Sequence, residues 1–271
     1  MLKTRIITAL IMLAVFASAL FTFPPLGWTA FVSIVMGVAA WEWGGLCGWT
    51  QRGQLAFGAL GGLLSFGLGA LALNDVASGR WVFLAAFAVS SAFWLLIGFL
   101  WLARGWRLGR GVLGMIVGLV VLLPTSLSMM FLRGIDPWWL LGAMAIVSIA
   151  DIAAYFAGRA FGRRKLAPSI SPGKSWEGVY GALIAVVIYG LTTLVLAGAR
   201  FSPTIWGLIV FALLLLTGIS VAGDLFESLL KRQAGIKDSS QLLPGHGGFL
   251  DRIDSLTSTL PMVALFVFLV R

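Results

Sequence analysis

The chain has 271 residues, of which 60% are hydrophobic and 11% are charged, and its mean hydropathy is +1.01. These values exclude an average soluble domain. The formal net charge of +9 is compatible with nucleic-acid binding, but its distribution along the chain argues against that class. The single cysteine, Cys47, excludes an internal disulfide and a metal site built from several cysteines.

Apolar runs of about 20 residues recur along the whole chain, and each is long enough to cross a bilayer as a helix. Their length and the sparse alternation of apolar and polar residues argue against a β-barrel. We therefore predict an all-α, polytopic helical integral membrane protein. The second and eighth runs are long enough to be tilted or broken. The nine predicted spans are 5–23, 27–48, 55–73, 80–101, 111–132, 137–158, 177–198, 203–229 and 248–270.

Basic residues divide unequally between the two sides that nine spans define. With a cytoplasmic N-terminus, fifteen lysines and arginines fall on the cytoplasmic side and four on the other. This bias follows the positive-inside rule, so we expect the 159–177 and 231–247 loops to face the cytoplasm. The first apolar run also resembles a secretory signal, but the charge split favours its retention as a first helix. The four residues on the outer side are Arg80, Arg133, Arg200 and Arg271.

The placement of carboxylates divides the chain into two halves. Residues 1–136 contain one intramembrane carboxylate, Glu42, and we interpret them as a transmembrane scaffold of about five helices. Residues 137–271 contain Asp151 and the other candidate acids, and we interpret them as a catalytic half of about four helices. Carboxylates at membrane depth are costly, which favours a functional role over a passive one.

A basic segment precedes the seventh predicted helix. Gly173-Lys174-Ser175 imitates the end of a phosphate-binding loop, but Pro168 stands where that motif requires glycine, so the Walker pattern fails. What remains is a basic turn with hydroxyl groups at a helix start, suited to phosphate contact through Ser171, Lys174 and Ser175. A plain solvated loop is the alternative.

Two sets of polar residues near the C-terminus are spaced i, i+3, i+4 and i+7, so each set shares one face of a helix. Two acidic faces on adjacent helices could hold divalent cations, since Mg²⁺ favours a few carboxylates together with phosphate oxygens. Each acid could instead form an ion pair that stabilises helix packing. The first set is Asp224, Glu227, Ser228 and Lys231, and the second is Asp251, Asp254, Ser255 and Ser258.

A polar loop joins these two helices. It carries the basic residue Lys237 and ends in the turn Pro244-Gly245-His246-Gly247-Gly248. The glycines at 247 and 248 allow close backbone approach, and the helix N-terminus that follows offers free N–H groups to a phosphate. For His246, the only histidine, a structural role and a substrate contact both remain open.

The run from Ser228 to Asp254 resembles the diagnostic motif of the phosphatidate cytidylyltransferase (CDP-diacylglycerol synthase) family. The segments 151–159 and 171–178 resemble the C-terminal half of the same family. Gly173 departs from it, because relatives often carry a second lysine there. The matching positions in the motif are Ser228, Lys231, Arg232, Lys237, Asp238, Pro244, His246, Gly247, Gly248, Asp251, Arg252 and Asp254.

The resemblance implies that CTP and phosphatidic acid become CDP-diacylglycerol and pyrophosphate. It also implies a two-cation centre on Asp224 and Asp251 with Mg²⁺ as one ion, and a homodimer. The corresponding location is the bacterial cytoplasmic (inner) membrane, with the site facing the cytoplasm, membrane lipids around the protein and no nucleic-acid partner. A related CTP-using enzyme for another lipid, or an ion transporter, is the alternative.

The candidate site residues follow from these patterns together with the resemblance. The expected catalytic residues are Asp224, Asp251, Lys231, Arg232 and Asp254. The expected substrate-binding residues are Ser171, Lys174, Ser175, Ser228, Lys237, His246, Gly247, Gly248 and Arg252.

Overall fold

The computed structural model describes residues 2–271, without the side chains of Leu2, Lys3 and Val76. The backbone is π-helical over Phe93–Gly98. The helices are α1 (Leu2–Thr22), α2 (Pro25–Leu46), α3 (Gln51–Asn74), α4 (Val76–Ala92), α5 (Phe99–Arg104), α6 (Val112–Ile135), α7 (Pro137–Phe161), α8 (Trp176–Leu196), α9 (Pro203–Gln233) and α10 (Leu250–Val270). Two antiparallel strands, β1 (Lys165–Ala167) and β2 (Ser171–Ser175), form a hairpin between α7 and α8.

Within this described range, nine helical segments are long and apolar enough to cross a membrane, which confirms the predicted class. The break in regular α-helix lies in the fourth span, Ala77–Arg104, whereas α2 and α9 run unbroken. At 31 residues, α9 is about 46 Å long, against roughly 30 Å of hydrocarbon. Its extra length therefore allows its polar last turns to reach the membrane surface.

The starts of several helices are fixed by side chains that accept a hydrogen bond from a backbone N–H in the first turn. Asp75 also accepts a hydrogen bond from the Ser78 hydroxyl, and this bond, together with backbone N–H donors, lowers the pKa of Asp75. The capping residues are Thr50, Asp75, Asp136, Ser175 and Ser202, at the starts of α3, α4, α7, α8 and α9.

The helix α2 is held rigidly by its neighbours α3 and α6. Gly37 and Gly58 face each other across the α2–α3 contact, and a Cβ on Gly58 would lie 2.9 Å from the Gly37 carbonyl oxygen. Such small residues let two helices approach closely. Trp43 donates its Nε1 to the Gly114 carbonyl at 2.9 Å, which fixes the end of α2 against α6.

Phe226 of α9 lies at the centre of an aromatic cluster. It is 1% exposed and packs edge-on against Phe93, Trp94 and Trp101, while stacking on Trp43 of α2. These contacts join the fourth span to α2 and α9. They hold α9 in place next to the residues of its polar face.

The helix α10 contains Pro261, which has no N–H for the Thr257 carbonyl four residues earlier. Trp94 of the π-helical segment donates its Nε1 to that carbonyl at 3.2 Å. The Thr125 hydroxyl of α6 lies 3.4 Å from the same oxygen. Neighbouring helices thus satisfy the carbonyl that the proline leaves unpaired, and α10 continues through it.

The loops rich in basic residues meet at one end of the helices, which we call the basic end. There Trp49 Nε1 donates to the Arg110 carbonyl at 2.7 Å, and Gln233 Nε2 donates to the Trp106 carbonyl at 2.9 Å. At the opposite end, Arg133 donates to backbone carbonyls at the end of α1. The fold therefore gathers the loops that the charge pattern assigns to one side. That this side is cytoplasmic stays a prediction.

Candidate active site at the ends of α9 and α10

The two predicted polar faces come together because α9 and α10 pack closely where Gly223 faces Ser258. A Cβ on Gly223 would lie 2.5 Å from Ser258 Oγ. The Ser258 hydroxyl donates to the Ile219 carbonyl of α9 at 3.0 Å. A glycine is therefore needed at this crossing, just before the acidic residues of α9 begin.

Asp224 of α9 forms an ion pair with Lys174 of β2. One turn further along α9, the Ser228 hydroxyl donates to Asp224 Oδ1 at 3.3 Å. The side chains of Asp224 and Lys174 are 28% and 24% exposed. This pair is therefore accessible to a charged substrate, and it joins two segments that sequence reasoning proposed separately.

The basic segment before α8 folds into the β1–β2 hairpin, where the sequence predicted only a turn. Ala167 pairs with Ser171 across the hairpin. Ser175 is buried, and its hydroxyl accepts a hydrogen bond from the Gly178 N–H, so it caps α8. The hairpin thereby holds Lys174 against α9. Substrate contact by Ser171 and Ser175 stays a prediction.

Asp251 connects the first turn of α10 to α9 and to the loop between them. Its Oδ1 accepts a hydrogen bond from Lys231 Nζ at 2.5 Å. Its Oδ2 accepts the Ser239 N–H at 2.9 Å and the Gly248 N–H at 2.8 Å, and it lies 3.1 Å from the Ser239 hydroxyl. The side chain is only 5% exposed. Asp251 therefore organises the loop as well as bearing charge.

Lys231 also faces a second buried carboxylate. Its Nζ lies 3.1 Å from Glu227 Oε1, one helical turn earlier on α9. Glu227 is 3% exposed, and neither of its carboxylate oxygens accepts a hydrogen bond of good geometry. Ion pairing, which the sequence left open for each acid, is thus present at Glu227 and Asp251. It leaves the catalytic assignment of Asp251 untested.

Two further carboxylates extend this acidic cluster. The charge of Asp224 acts on both Asp151 of α7 and Asp254 of α10, and those two also lie within electrostatic range of each other. Sequence reasoning placed Asp151 in the catalytic half but gave it no role at the site. Its signal was its position on the helix that precedes the basic hairpin.

The donor chemistry of the cluster can be compared with the needs of Mg²⁺, a hard cation that takes carboxylate oxygens. Asp224 fits, since it is partly exposed and has Asp151 and Asp254 near it, and a cation at its Oδ2 would take the place of Lys174. Asp251 fits only through Oδ1, where a cation would take the place of Lys231, because three donors occupy Oδ2. Among the residues that the structure describes, no three acidic, histidine or cysteine side chains form a ready-made metal site.

The glycine-rich turn is tightly constrained. Gly247 has a φ of +80°, in the left-handed region that favours glycine. A Cβ on Gly248 would lie 1.9 Å from Ser239 Oγ, so this position has no room for a side chain. His246 donates its backbone N–H to the Leu243 carbonyl, while its buried Nδ1 has no hydrogen-bond partner. A substrate contact for His246 stays a prediction.

The other predicted bases lie around the cluster at the basic end. Arg232 donates its Nε to the Ile170 carbonyl at 3.3 Å, so it touches the hairpin. Lys237 and Arg252 are exposed. The arrangement surrounds the buried acids with positive charge that suits phosphate groups.

Glu42 of α2, which sequence reasoning assigned to the scaffold half, contacts the loop that borders the candidate site. Its carboxylate is 1% exposed and accepts four hydrogen bonds from the α9–α10 loop and the start of α10. The only sequence signal was an acid between two tryptophans in an apolar run. That signal marked the residue as unusual but indicated no partner.

The fold and the site together define an integral membrane protein with clustered carboxylates and basic groups where two helices reach the membrane surface. Residues 3–270 match the model of the cytidylyltransferase family, and the chain belongs to this family.

Several curated proteins are similar over nearly their full length. The phosphatidate cytidylyltransferase of Pseudomonas aeruginosa is 40% identical over 278 residues, covering 97% of this chain and 96% of that protein. Its namesake in Haemophilus influenzae is 36% identical over 299 residues, covering 100% of both chains. That of Brucella suis is 40% identical over 270 residues, covering 98% of this chain and 93% of the relative.

Proposed function

We propose that this chain transfers the CMP moiety of CTP to phosphatidic acid, giving CDP-diacylglycerol and pyrophosphate for phospholipid biosynthesis. The observation that carries the proposal is the meeting of Asp224, Lys174 and the Lys231–Asp251 pair at the membrane-surface end of α9 and α10. The family membership, and relatives named phosphatidate cytidylyltransferase along nearly the whole chain, support the same reaction.

The chemistry of the substrates suits this group of residues. A phosphate monoester has a second pKa of about 6, so the lipid phosphate is already an anionic nucleophile near neutral pH. Its oxygen attacks the α-phosphorus of CTP, the bond from that phosphorus to the β-phosphate oxygen breaks, and pyrophosphate leaves. The reaction needs little help from a base. It needs charge neutralisation and in-line alignment.

The basic side chains supply that neutralisation. Lys174 and Arg232 are partly or largely exposed at the basic end, where they contact phosphate oxygens of CTP or of the lipid. Lys231 is held in place by Glu227 and Asp251, which fixes its ammonium group at one position between the two helices. In-line alignment follows from such fixed charges rather than from a nucleophilic side chain.

Dependence on Mg²⁺ belongs to the same proposal, with a second cation at the same carboxylates. Asp224 would hold a cation through its exposed carboxylate, and Asp251 through Oδ1. When bound, Mg²⁺ supplies neutralisation of phosphate charge and polarises the phosphorus under attack. Asp254 lies within electrostatic range of Asp224, next to the proposed cation site.

We also propose a homodimer in the cytoplasmic membrane, with the basic end facing the cytoplasm. The positive-inside bias supports the orientation, and CTP is available on that side. Native mass spectrometry of the purified protein tests the dimer, and a monomer under conditions that retain activity would contradict it.

The position of the label in CTP tests the reaction. With purified protein and phosphatidic acid, label at the α-phosphorus of CTP should enter the lipid, and label at the γ-phosphorus should leave as pyrophosphate. A CTP-dependent lipid kinase would give the reverse pattern, and a transporter would label no lipid. Replacing phosphatidic acid with an isoprenoid phosphate should abolish lipid labelling, whereas equal labelling would contradict the assigned acceptor.

A further inference from the structure

The N-terminus of α10 lacks a cap from its own segment. The N-cap residue, Phe249, offers no side-chain hydrogen bond to the first turn. Helix N-termini expose unpaired N–H groups that need an acceptor when they are buried. The N–H of Phe249 and the N–H of Leu250 find that acceptor on another helix, at Glu42 of α2.

The Glu42 carboxylate contacts both the α9–α10 loop and the first residue of α10. Its Oε1 accepts the Ser240 hydroxyl at 2.5 Å and the Phe249 N–H at 2.9 Å. Its Oε2 accepts the Ser239 hydroxyl at 3.1 Å and the Leu250 N–H at 2.5 Å. Each oxygen therefore faces one hydroxyl and one backbone N–H, and the single Ser239 hydroxyl proton is shared between Glu42 Oε2 and Asp251 Oδ2. An ionised carboxylate can accept all four, which a neutral side chain of similar size cannot.

Ser239 links this carboxylate to the candidate active site. Its hydroxyl lies 3.1 Å from Glu42 Oε2 and 3.1 Å from Asp251 Oδ2. Asp251 in turn holds Lys231. One serine hydroxyl thus stands between an acid of the predicted scaffold half and an ion pair of the predicted catalytic half.

The contact also excludes side chains from the glycine-rich turn. A Cβ on Gly248 would lie 2.8 Å from Glu42 Oε1 as well as against Ser239. The loop has little regular structure of its own, whereas α2 is fixed by Trp43 and by its packing on α3. The rigid partner in this contact is therefore α2, and the loop takes its position from it.

We propose that Glu42 is a positioning residue for the reaction, which sets the α9–α10 loop and the first turn of α10 in their active arrangement. It acts through Ser239, Ser240 and the backbone, and it does not touch the substrates. This inference rests on the proposed function, because that function assigns the reaction to the Lys231–Asp251 pair, which the loop contacts through Asp251.

Glu42→Gln tests the inference. The amide NH₂ of glutamine would face a backbone N–H, so at least one hydrogen bond is replaced by two opposed donors. We expect kcat/KM for CTP to fall by about tenfold or more, the loss typical of removing a hydrogen bond to a charged group, at temperatures where the variant is fully folded. Amide hydrogen exchange should become faster in residues 238–250 and stay unchanged in α3 and α6.

Ser33→Ala is the matched control, because Ser33 is a buried hydrogen-bonding residue on the same helix that contacts Ser65 and not the loop. It should alter the melting temperature without changing kcat/KM or exchange in the loop. If Glu42→Gln fails to fold, Ser240→Ala removes one donor from the loop side and should give the same effects at smaller size.

Two results would overturn the inference. One is wild-type kcat/KM and loop exchange in folded Glu42→Gln or, where that variant does not fold, in Ser240→Ala. The other is faster exchange spread evenly over α2, α3 and α6. A wild-type protein that forms no CDP-diacylglycerol would refute the proposed function instead. The exchange measurement would still test whether Glu42 holds the α9–α10 loop in place.

Discussion

Lys231 Nζ of α9 lies 2.5 Å from Asp251 Oδ1 of α10, so the basic end of one helix is joined directly to the acidic first turn of the next. The same ammonium group faces Glu227. Lys231 therefore pairs with two carboxylates, whereas its neighbour Arg232 pairs with none in the structure described. The two adjacent bases should respond differently to substitution.

Lys231→Ala should lower both stability and activity. It leaves two buried carboxylates without a counter-charge, and breaking such a buried pair costs about 3–5 kcal/mol. The melting temperature of the purified protein should fall clearly, together with turnover. An unchanged melt would show that the two ion pairs contribute nothing to holding α9 against α10.

Arg232→Ala should lower activity alone, since the side chain is exposed and its one hydrogen bond is to the Ile170 carbonyl. Losing a positioned contact to a phosphate should reduce kcat/KM by an amount equivalent to about 1.5–3 kcal/mol. Arg164→Ala is the matched control, because it removes one exposed positive charge from the same end of the molecule. Equal kinetics in the two variants would contradict a substrate contact and leave Arg232 only as part of the positive charge that orients the protein in the membrane.

Gly248→Ala should disrupt the loop, whereas Gly173→Ala should be tolerated. The new Cβ at 248 would lie 1.9 Å from Ser239 Oγ and 2.8 Å from the Ser240 nitrogen, so the loop must move. A Cβ at 173 would meet no heavy atom within 4 Å. Activity assays and thermal melts of both variants test this difference. Full activity in Gly248→Ala would contradict the loop geometry.

Cysteine labelling tests the orientation of the basic end. Cys47 is 3% exposed, so the native cysteine should not react and the wild-type background suffices. In the 231–247 loop, Gln241 is a suitable labelling position because it is exposed, whereas Ser239 is buried. Cysteines at Ser169 and Gln241 should resist an impermeant thiol reagent outside intact cells, while one at Ala197 should react. The opposite pattern would reverse the topology.

Much of this architecture could be predicted from the sequence, because the strongest signals are local. Hydropathy locates the nine spans, since a bilayer requires long apolar runs. The i, i+3, i+4, i+7 spacing identifies the two polar faces that α9 and α10 bring together. These patterns depend on near neighbours in the chain, so no knowledge of the fold is needed to see them.

What could not be predicted depends on distant contacts or on very short elements. Glu42 and Ser239 are separated by 197 residues, and no local pattern relates them. The strands β1 and β2 have three and five residues and are too short for a recognisable period. The pairing of Lys174 with Asp224 follows from that hairpin and therefore escaped prediction as well.

The central claim is that the acids at the meeting of α9 and α10 carry the reaction, and Asp224 provides its most direct test. Asp224→Asn keeps the size and hydrogen-bonding ability of the side chain but removes the charge that holds a hard cation. Asp251→Asn should lose activity too, but it should also lower the melting temperature because Lys231 loses one of its two charged partners.

The decisive measurement is the rate of CDP-diacylglycerol formation by Asp224→Asn as a function of Mg²⁺ concentration, beside a thermal melt in detergent. We expect nearly abolished turnover, any residual activity requiring more Mg²⁺, and a melting temperature close to that of the wild type. Near-normal turnover with an unshifted Mg²⁺ curve would contradict it.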